Sequence, residues 1–221
     1  MTEAGDPVGP AIVLLHGAGL GAWMWQPQLA PLAARYHVLA PDLPGCGAVV
    51  DGGPFTLARG AAAVAALIRA RGGGVAHVCG LSVGAMVALQ LAQDAPETLA
   101  SLTLSAGQVH ANPLLMGAQR IIMSCIPERA FTESLPAAFE RNYPDLVEGA
   151  RASAKRTGKR GVLALIHAAA RADFRLWPAT GFSLKQTVAL TNTPASSGAM
   201  CSVSRESVVQ YSSIFHPPDS R

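Results

Sequence analysis

"VAHVCGLSVGAMVALQLA", residues Val75–Ala92, decides the fold. The stretch begins with a short apolar run typical of a buried strand, passes through GLSVG at 80–84, and ends in an apolar run of helical period. The middle segment matches G-x-S-x-G, in which a serine stands on a tight turn from a strand into a helix with its hydroxyl exposed. Small flanking residues are needed there because the two backbones come close together. The stretch therefore predicts a strand, a sharp turn at Ser82 and a helix.

Strands and helices alternate on both sides of this stretch. Before it lie an apolar strand at Ala11–Leu15, a helical pattern PQLAPLAARY, a second strand at His37–Asp42 and a helix from about Thr56 to Arg71. A further strand, Leu99–Gly107, follows it. Such alternation indicates a parallel sheet with helices on both faces. We therefore predict an α/β fold, a three-layer sandwich with a mostly parallel sheet.

The second half of the chain changes character twice. From Asn112 to about Arg171 it shows only helical periodicity, in NPLLMGAQRIIMSC, RAFTESLPAAFERN, PDLVEGARASAKRT and GVLALIHAAARAD, which predicts a helical cap over the sheet. Residues 181–221 then contain nine serines, against six in the preceding 180. We divide the chain into an α/β core at 8–108, a cap at 109–171 and an atypical carboxyl-terminal segment at 172–221. Truncation or a changed reading frame would explain that segment, and late strands of the sheet could be missing from it.

Composition limits the classes of partner. A formal charge of +3 is too small to favour nucleic acid or a membrane surface, and the basic cluster KRTGKR at 155–160 is typical of a solvated helix end or loop. The amino terminus lacks the apolar core of a secretory signal, and no apolar run approaches about 18 residues. Four scattered cysteines have no metal-ligand spacing and indicate reduced thiols. We expect a cytoplasmic protein without nucleic-acid, membrane or metal partners.

A second glycine-rich motif, LLHGAG at Leu14–Gly19, ends the first clear strand. A backbone amide of this loop, that of Ala18, could pair with the amide of Val83 to hold an oxyanion. The amino terminus of the helix after Ser82 would also favour a developing anion. The alternative is structural: the glycines shape the turn and Ser82 caps the helix, as serine often does.

LLHGAG, YHVLAPDLPGCG and VCGLSVGAMVALQLA, in this order and approximate spacing, resemble the α/β-hydrolase superfamily from about Val8 to Arg175. The resemblance implies that family's fold, Ser82 as nucleophile, and the amides of Ala18 and Val83 as oxyanion donors. Two segments depart from the family pattern. GCGAV at 45–49 replaces the usual G-H-G-x-S. In the turn around Ser82, Gly84 is followed by Ala85, whereas the family usually has two glycines there.

The form GLSVGAMVAL is similar to enol-lactone hydrolases and small esterases. The resemblance therefore implies a serine hydrolase that cleaves a small carboxylic ester or lactone through an acyl-enzyme on Ser82, without metal or cofactor. The substrate would be a small molecule. The atypical carboxyl-terminal segment could impair this activity.

A serine hydroxyl needs a histidine to take its proton and a carboxylate to orient that histidine. The family places the acid after a late strand and the histidine near the carboxyl end. Only His216 has this order, so it is the candidate base. No carboxylate lies in a sequence motif typical of the acid. The carboxylates nearest to His216 in the sequence are Asp173, Glu206 and Asp219. The segment after LTLSAG, residues 108–112, contains no acid.

The remaining candidates have structural interpretations. Asp42 is expected to organise its neighbouring loop, and His16 to make structural hydrogen bonds in the LLHGAG loop. The other histidines are predicted at the following places: His37 and His77 within strands, His110 at the hinge to the cap, and His167 on a cap helix.

Two alternatives from other classes stay open. Gly17, Gly19 and Ala22 also satisfy G-x-G-x-x-A after a strand, with Asp42 about twenty residues on, which are the elements of a dinucleotide fingerprint. Against this, Trp and Pro residues crowd the segment where the phosphate-binding helix should begin, and Ser82 would have no role. The second alternative is a non-catalytic shell that binds an apolar ligand between sheet and cap.

Overall fold

The computed structural model describes residues 1–45, 55–106, 113–172, 174 and 187–190. Within these residues six strands form one sheet in the order β1-β3-β2-β4-β5-β6. Their bounds are β1 Thr2–Ala4, β2 Ala11–Leu15, β3 His37–Ala40, β4 Ala76–Leu81, β5 Leu99–Ser105 and β6 Thr187–Leu190. β1 runs antiparallel to β3, and the other neighbouring strands are parallel. The prediction of a mostly parallel sheet is confirmed.

Six α-helices lie in the same described ranges. They are α1 Gln26–Ala33, α2 Leu57–Arg71, α3 Val83–Asp94, α4 Pro113–Cys125, α5 Glu128–Glu140 and α6 Val147–Ala170. A short 3-10 segment, Ala22–Trp25, precedes α1.

The buried side chains of β2 alternate between two apolar clusters. Val13 and Leu15 belong to the cluster that includes α2 and α3. Leu14 belongs to the cluster on the opposite face, together with Trp25, which precedes α1, and Leu29 of α1. Successive strand side chains point to opposite faces, so helices on both sides of the sheet bury both sets. This arrangement is the predicted three-layer sandwich.

Side chains at both ends of α2 stabilise the helix. Thr56 precedes the helix in an extended conformation, and its Oγ1 accepts the backbone N–H of Arg59 at 3.1 Å. Such a side-chain cap satisfies one of the amides that lack a partner inside the helix. Arg69 and Arg71 lie in the last turn, where positive charge opposes the helix dipole.

The amino-terminal strand β1 was not predicted. It lies outside the range 8–108 assigned to the core, because three residues, TEA, carry too little pattern to indicate a strand. Side-chain contacts hold it in place. Glu3 accepts from His37 Nε2 at 2.6 Å and also pairs with Arg71 at the end of α2. A segment that joins the sheet through such non-local contacts gives little local signal.

The helical patterns of the predicted cap correspond to α4, α5 and α6. The last two patterns, PDLVEGARASAKRT and GVLALIHAAARAD, correspond to two helical segments of α6 that meet at a kink at Gly158, whose φ of 57° and ψ of 175° are not helical. The basic cluster 155–160 spans this break. Lys159 Nζ donates to the carbonyls of Ser124 and Ile126, at 3.1 and 2.7 Å, at the end of α4. One member of the cluster therefore caps a neighbouring helix, while Lys155, Arg156 and Arg160 are exposed.

A late strand is present. Thr187–Leu190, within the sequence QTVAL, pairs in parallel with β5 at the edge of the sheet. This strand lies in the segment from which late strands could be missing, and it extends the sheet by one strand beyond β5. The remainder of the atypical segment beyond Leu190 lies outside the described residues.

Candidate active site

The strand, turn and helix predicted around Ser82 are present. β4 ends at Leu81, α3 begins at Val83, and Ser82 between them has φ 53° and ψ −114°. A positive φ is uncommon for a residue with a side chain. The Ser82 side chain makes no capping hydrogen bond, although the residue stands at the cap position of α3. The alternative in which Ser82 serves as a helix cap is therefore wrong.

The two glycines of the motif are required by packing. A Cβ at Gly80 would lie 2.5 Å from the carbonyl oxygen of Gly84, and a Cβ at Gly84 would lie 2.4 Å from that of Leu15. Both distances are far shorter than a van der Waals contact. The first turn of α3 thus rests directly on the backbones of β4 and β2, and this close approach holds Ser82 at the bend.

The LLHGAG loop folds into a tight turn beside the serine. Leu20 N–H donates to the Gly17 carbonyl at 3.2 Å, and Gly19, the third residue of the turn, has φ 75°. This pattern is that of a type II turn, which favours glycine at the third position. A Cβ at Gly17 would lie 3.5 Å from the Cβ of Ser82. The fold therefore brings the two glycine-rich motifs together.

Ala18 and Val83 occupy positions whose amides are not used by local structure. Ala18 is the second residue of the turn, and the hydrogen bond that closes the turn uses the amide of Leu20 instead. Val83 is the first residue of α3, where an amide has no acceptor within the helix. In the described part of the chain, neither amide donates to a backbone carbonyl.

His16 is fully buried and both of its ring nitrogens are engaged. Its Nε2 accepts the N–H of Leu43 at 2.9 Å, so the proton lies on Nδ1, which donates to the Gly17 carbonyl at 2.8 Å. Burial lowers the pKa of His16, while the hydrogen bond to Gly17 and the charge of Asp42 oppose this shift. A neutral imidazole that ties two loops together cannot also accept a proton from Ser82. The predicted structural role of His16 is confirmed.

Asp42 also organises the loop, as the sequence analysis expected. Its Oδ1 accepts the N–H of Ala22 at 2.8 Å. The residues after Gly19 form a 3-10 segment at Ala22–Trp25 before α1 begins, so the glycine-rich turn does not lead directly into a helix. Because a dinucleotide site needs that direct junction and a carboxylate for the ribose, the geometry does not favour the dinucleotide alternative.

The other described histidines have places away from this turn. His37 in β3 pairs with Glu3, and His77 in β4 contacts Ser101 Oγ through Nδ1 at 2.7 Å. His167 is exposed on α6. The predicted places of these three histidines are confirmed. The candidate base, the hinge histidine and the three carboxylates lie outside the described residues: His216, His110, Asp173, Glu206 and Asp219.

The thiol nearest in sequence to the turn is Cys79, on β4. It is unpaired, and burial raises its pKa to about 11. A thiol with this pKa is almost wholly protonated at neutral pH and is a poor nucleophile. Cys125 on α4 is also a free thiol, in agreement with the prediction of reduced cysteines, while Cys46 and Cys201 lie outside the described residues.

The end of β5 supports the turn, which the sequence analysis missed. The carbonyl of Ser105 accepts the N–H of Ser82 at 2.8 Å. Ala106, the next residue, has φ 51°. An alanine carries no sequence signal for a left-handed backbone, whereas the hydrogen bond from Ser105 follows once β5 is placed beside β4.

Other features of the described residues do not indicate a different site. Two surface cavities, one between α2 and the loop after β3 and one between α5 and α6, are not lined by Ser82. The described residues contain no group of three or more His, Cys, Asp or Glu side chains that could hold a metal ion. Among the described helices, none has the length and apolarity needed to cross a bilayer.

Comparison with known proteins matches the chain to one family and to individual relatives. A profile of the alpha/beta hydrolase family matches residues 12–206. The protein named "Putative carbamate hydrolase RutD" from Azorhizobium caulinodans is 35% identical over 133 residues, 58% of this chain and 50% of that protein. The pimeloyl-[acyl-carrier protein] methyl ester esterase of Methylococcus capsulatus is 39% identical over 99 residues, 45% of this chain and 37% of that protein. The chain thus spans half or less of the length of these curated relatives.

A solved structure, that of a hydrolase from Pseudomonas aeruginosa PA01, is similar over most of the chain. Its TM-score is 0.69 at 28% sequence identity, covering 85% of this chain and 73% of that one.

Proposed function

The chain belongs to the alpha/beta hydrolase family, and on this premise we propose that it is a serine hydrolase that cleaves a small carboxylic ester or lactone. The observation that carries the proposal is the state of Ser82. Its backbone is left-handed at the end of β4, and its side chain is not used to cap α3. A hydroxyl presented on such a turn is suited to attack a carbonyl carbon.

The amides of Ala18 and Val83 are the proposed oxyanion donors. Support comes from their local geometry, because each amide is left without a local acceptor, and from the contact between Gly17 and Ser82. The positive end of the α3 dipole would add to the stabilisation of an anion at Val83. Removal of one such donor typically costs about 2.7 to 4 kcal/mol of transition-state stabilisation.

In the proposed reaction, Ser82 Oγ forms a bond to the substrate carbonyl carbon while its proton passes to a base. His216 is the proposed base, on the strength of its position in chain order. The tetrahedral intermediate carries its negative charge on the former carbonyl oxygen and collapses as the alcohol leaves with the proton. Water then attacks the acyl-enzyme by the same route and releases the acid. The substrate is a small molecule, and the proposed location is cytoplasmic.

The names of the two curated relatives refer to two classes of acyl compound, a carbamate and a methyl ester. A screen of activity should therefore include short-chain 4-nitrophenyl esters, a small lactone and an aryl carbamate. Wild type is expected to hydrolyse the esters or the lactone, and Ser82→Ala is expected to hydrolyse none of them.

A fluorophosphonate probe tests the nucleophile without knowledge of the substrate. We expect covalent labelling of wild type, no labelling of Ser82→Ala, and wild-type labelling of Ser124→Ala. Ser124 is a suitable control because it is exposed on α4 and its hydroxyl donates to the carbonyl of Arg120 in the same helix. His216→Ala should label about 100 to 10,000 times more slowly, the usual contribution of a general base.

Absence of labelling in a wild-type protein with a cooperative thermal transition would overturn the proposal. That result would instead support the alternative of a non-catalytic protein that binds an apolar ligand between sheet and cap. Saturable binding of NADH by the unlabelled protein would favour the dinucleotide alternative.

A further inference from the structure

A partly buried hydrogen bond joins the 3-10 segment after the glycine-rich loop to α6, the longest of the described helices. Trp23 Nε1 donates to the Oγ of Ser153 on α6 at 2.7 Å, and the two residues are 130 positions apart in the chain. Ser153 is completely buried. A buried hydroxyl is costly to leave unpaired, so the contact with the half-buried Trp23 favours one position of α6 over this segment.

The indole ring of Trp23 is held on its other surfaces as well. A Cβ at Gly149 on α6 would lie 2.6 Å from Cδ2 of the indole, so the ring lies directly against the helix backbone. The ring of Phe139 on α5 approaches edge-on, with centroids 5.2 Å apart and planes at 72°. Edge-to-face contacts of this kind favour a specific orientation. Two cap helices therefore fix the orientation of Trp23.

The same helix also covers the turn that contains Ala18. A Cβ at Gly19 would lie 2.9 Å from Cγ2 of Val162, whose side chain is buried on α6. Between Gly19 and Trp23 the loop is tied to the sheet by the bond from Ala22 N–H to Asp42. The loop thus has two supports, Asp42 on the sheet side and α6 on the other, where Ser153 before the kink at Gly158 and Val162 after it both contact the loop region.

We propose that Trp23 and Ser153 are positioning residues, which couple the seating of α6 to the placement of the Ala18 amide. The inference rests on the proposed function, in which this amide stabilises the oxyanion. An oxyanion donor acts only when it lies within a few tenths of an ångström of its productive position. The hydrogen bond between Trp23 and Ser153 supplies that precision from the cap, although neither residue touches the reacting atoms.

The test uses the full chain and the rate at which a fluorophosphonate modifies Ser82, measured against probe concentration. Ser153→Ala and Trp23→Phe are each expected to lower the maximal rate about 10-fold, a fraction of the loss caused by removal of a donor. The half-saturating probe concentration should change less than twofold. The double variant should be no slower than the slower single variant, because both changes break one interaction. Ser134→Ala, an exposed serine on α5, should behave as wild type.

Hydrogen exchange of the backbone amides in residues 17–23 gives a second readout that does not depend on catalysis. Exchange in this peptide should be faster in Ser153→Ala than in wild type, while exchange in the β4 and α3 peptides is unchanged. Equal exchange in the loop would overturn the inference, as would an unchanged labelling rate in an active protein. If wild type is not labelled but the loop exchanges faster in Ser153→Ala, the coupling stands and only the proposed hydrolase function fails.

Discussion

Ser82 keeps a backbone conformation that most residues avoid, and its neighbours explain why it persists. A left-handed backbone at a residue with a side chain costs on the order of 1–3 kcal/mol. Gly84 fits against the Leu15 carbonyl with no space for a side chain, and Ser105 accepts the Ser82 amide. These contacts fix the backbone on both sides of the serine. Packing therefore maintains the strained backbone, and the Ser82 hydroxyl is not used to cap α3.

At the same scale, His16 predicts a pH dependence of stability. Because burial lowers its pKa from the ordinary value of 6.5, the unfolded chain binds a proton at a higher pH than the folded protein does. Its contribution to stability is complete above pH 6.5 and is lost as the pH falls toward the folded-state pKa. The slope in this window approaches about 1.4 kcal/mol per pH unit.

The measurement compares urea unfolding of wild type and His16→Gln between pH 7.5 and pH 5, over a range of about 2.5 units. Glutamine keeps an amide group but does not titrate. We expect the stability advantage of wild type over this variant to shrink as the pH falls below about 6.5. An advantage that is independent of pH would contradict the assignment of His16 as a buried neutral histidine.

At the scale of elements, hydrogen bonds from Lys159 to two neighbouring helices surround the break in α6. Gly158 interrupts the helix and frees the amide of Lys159, which donates to Glu128 Oε1 at the start of α5 at 3.0 Å. The ammonium group of Lys159 meanwhile caps the end of α4. The break is thus the point at which the three cap helices are joined.

Gly158→Ala tests this arrangement. The conformation of Gly158 (φ 57°, ψ 175°) is close to a region that only glycine adopts readily, so we expect a loss of about 1–3 kcal/mol in the free energy of unfolding. Thermal or urea unfolding measures it. The matched control is Gly117→Ala on α4, where an added Cβ meets nothing within 4 Å. This substitution should raise stability by about 0.5–1 kcal/mol. A neutral or stabilising Gly158→Ala would mean that α6 can straighten.

At the scale of the whole molecule, local patterns predicted most elements. The strand into Ser82, the helix after it and the capped helix α2 each follow from a few adjacent residues. The missed features are non-local: β1 depends on Glu3 meeting His37 and Arg71, and the loop's support from α6 depends on residues 130 positions apart. The two predicted patterns PDLVEGARASAKRT and GVLALIHAAARAD, by contrast, correspond to the two segments of α6 on either side of the kink at Gly158, so this division also followed from local pattern.

The residues of the candidate site likewise fall into two groups, those that local sequence predicts and those that it does not. The two glycine-rich motifs could be paired from sequence because each has its own signature at the carboxyl end of a strand. Base and acid have no comparable signature, since a lone histidine or carboxylate in a serine-rich segment has no periodic pattern around it. Their identity depends on which distant residue the folded chain places beside Ser82, and this is information that local spacing does not contain.

The most direct test of the account is a crystal structure of the protein after reaction with a small fluorophosphonate, which leaves a tetrahedral phosphorus on the nucleophile. We predict phosphorus bonded to Ser82 Oγ, with one phosphoryl oxygen about 2.7–3.1 Å from the amide nitrogens of both Ala18 and Val83. Phosphorus on another residue, or a phosphoryl oxygen directed away from these two amides, would contradict it.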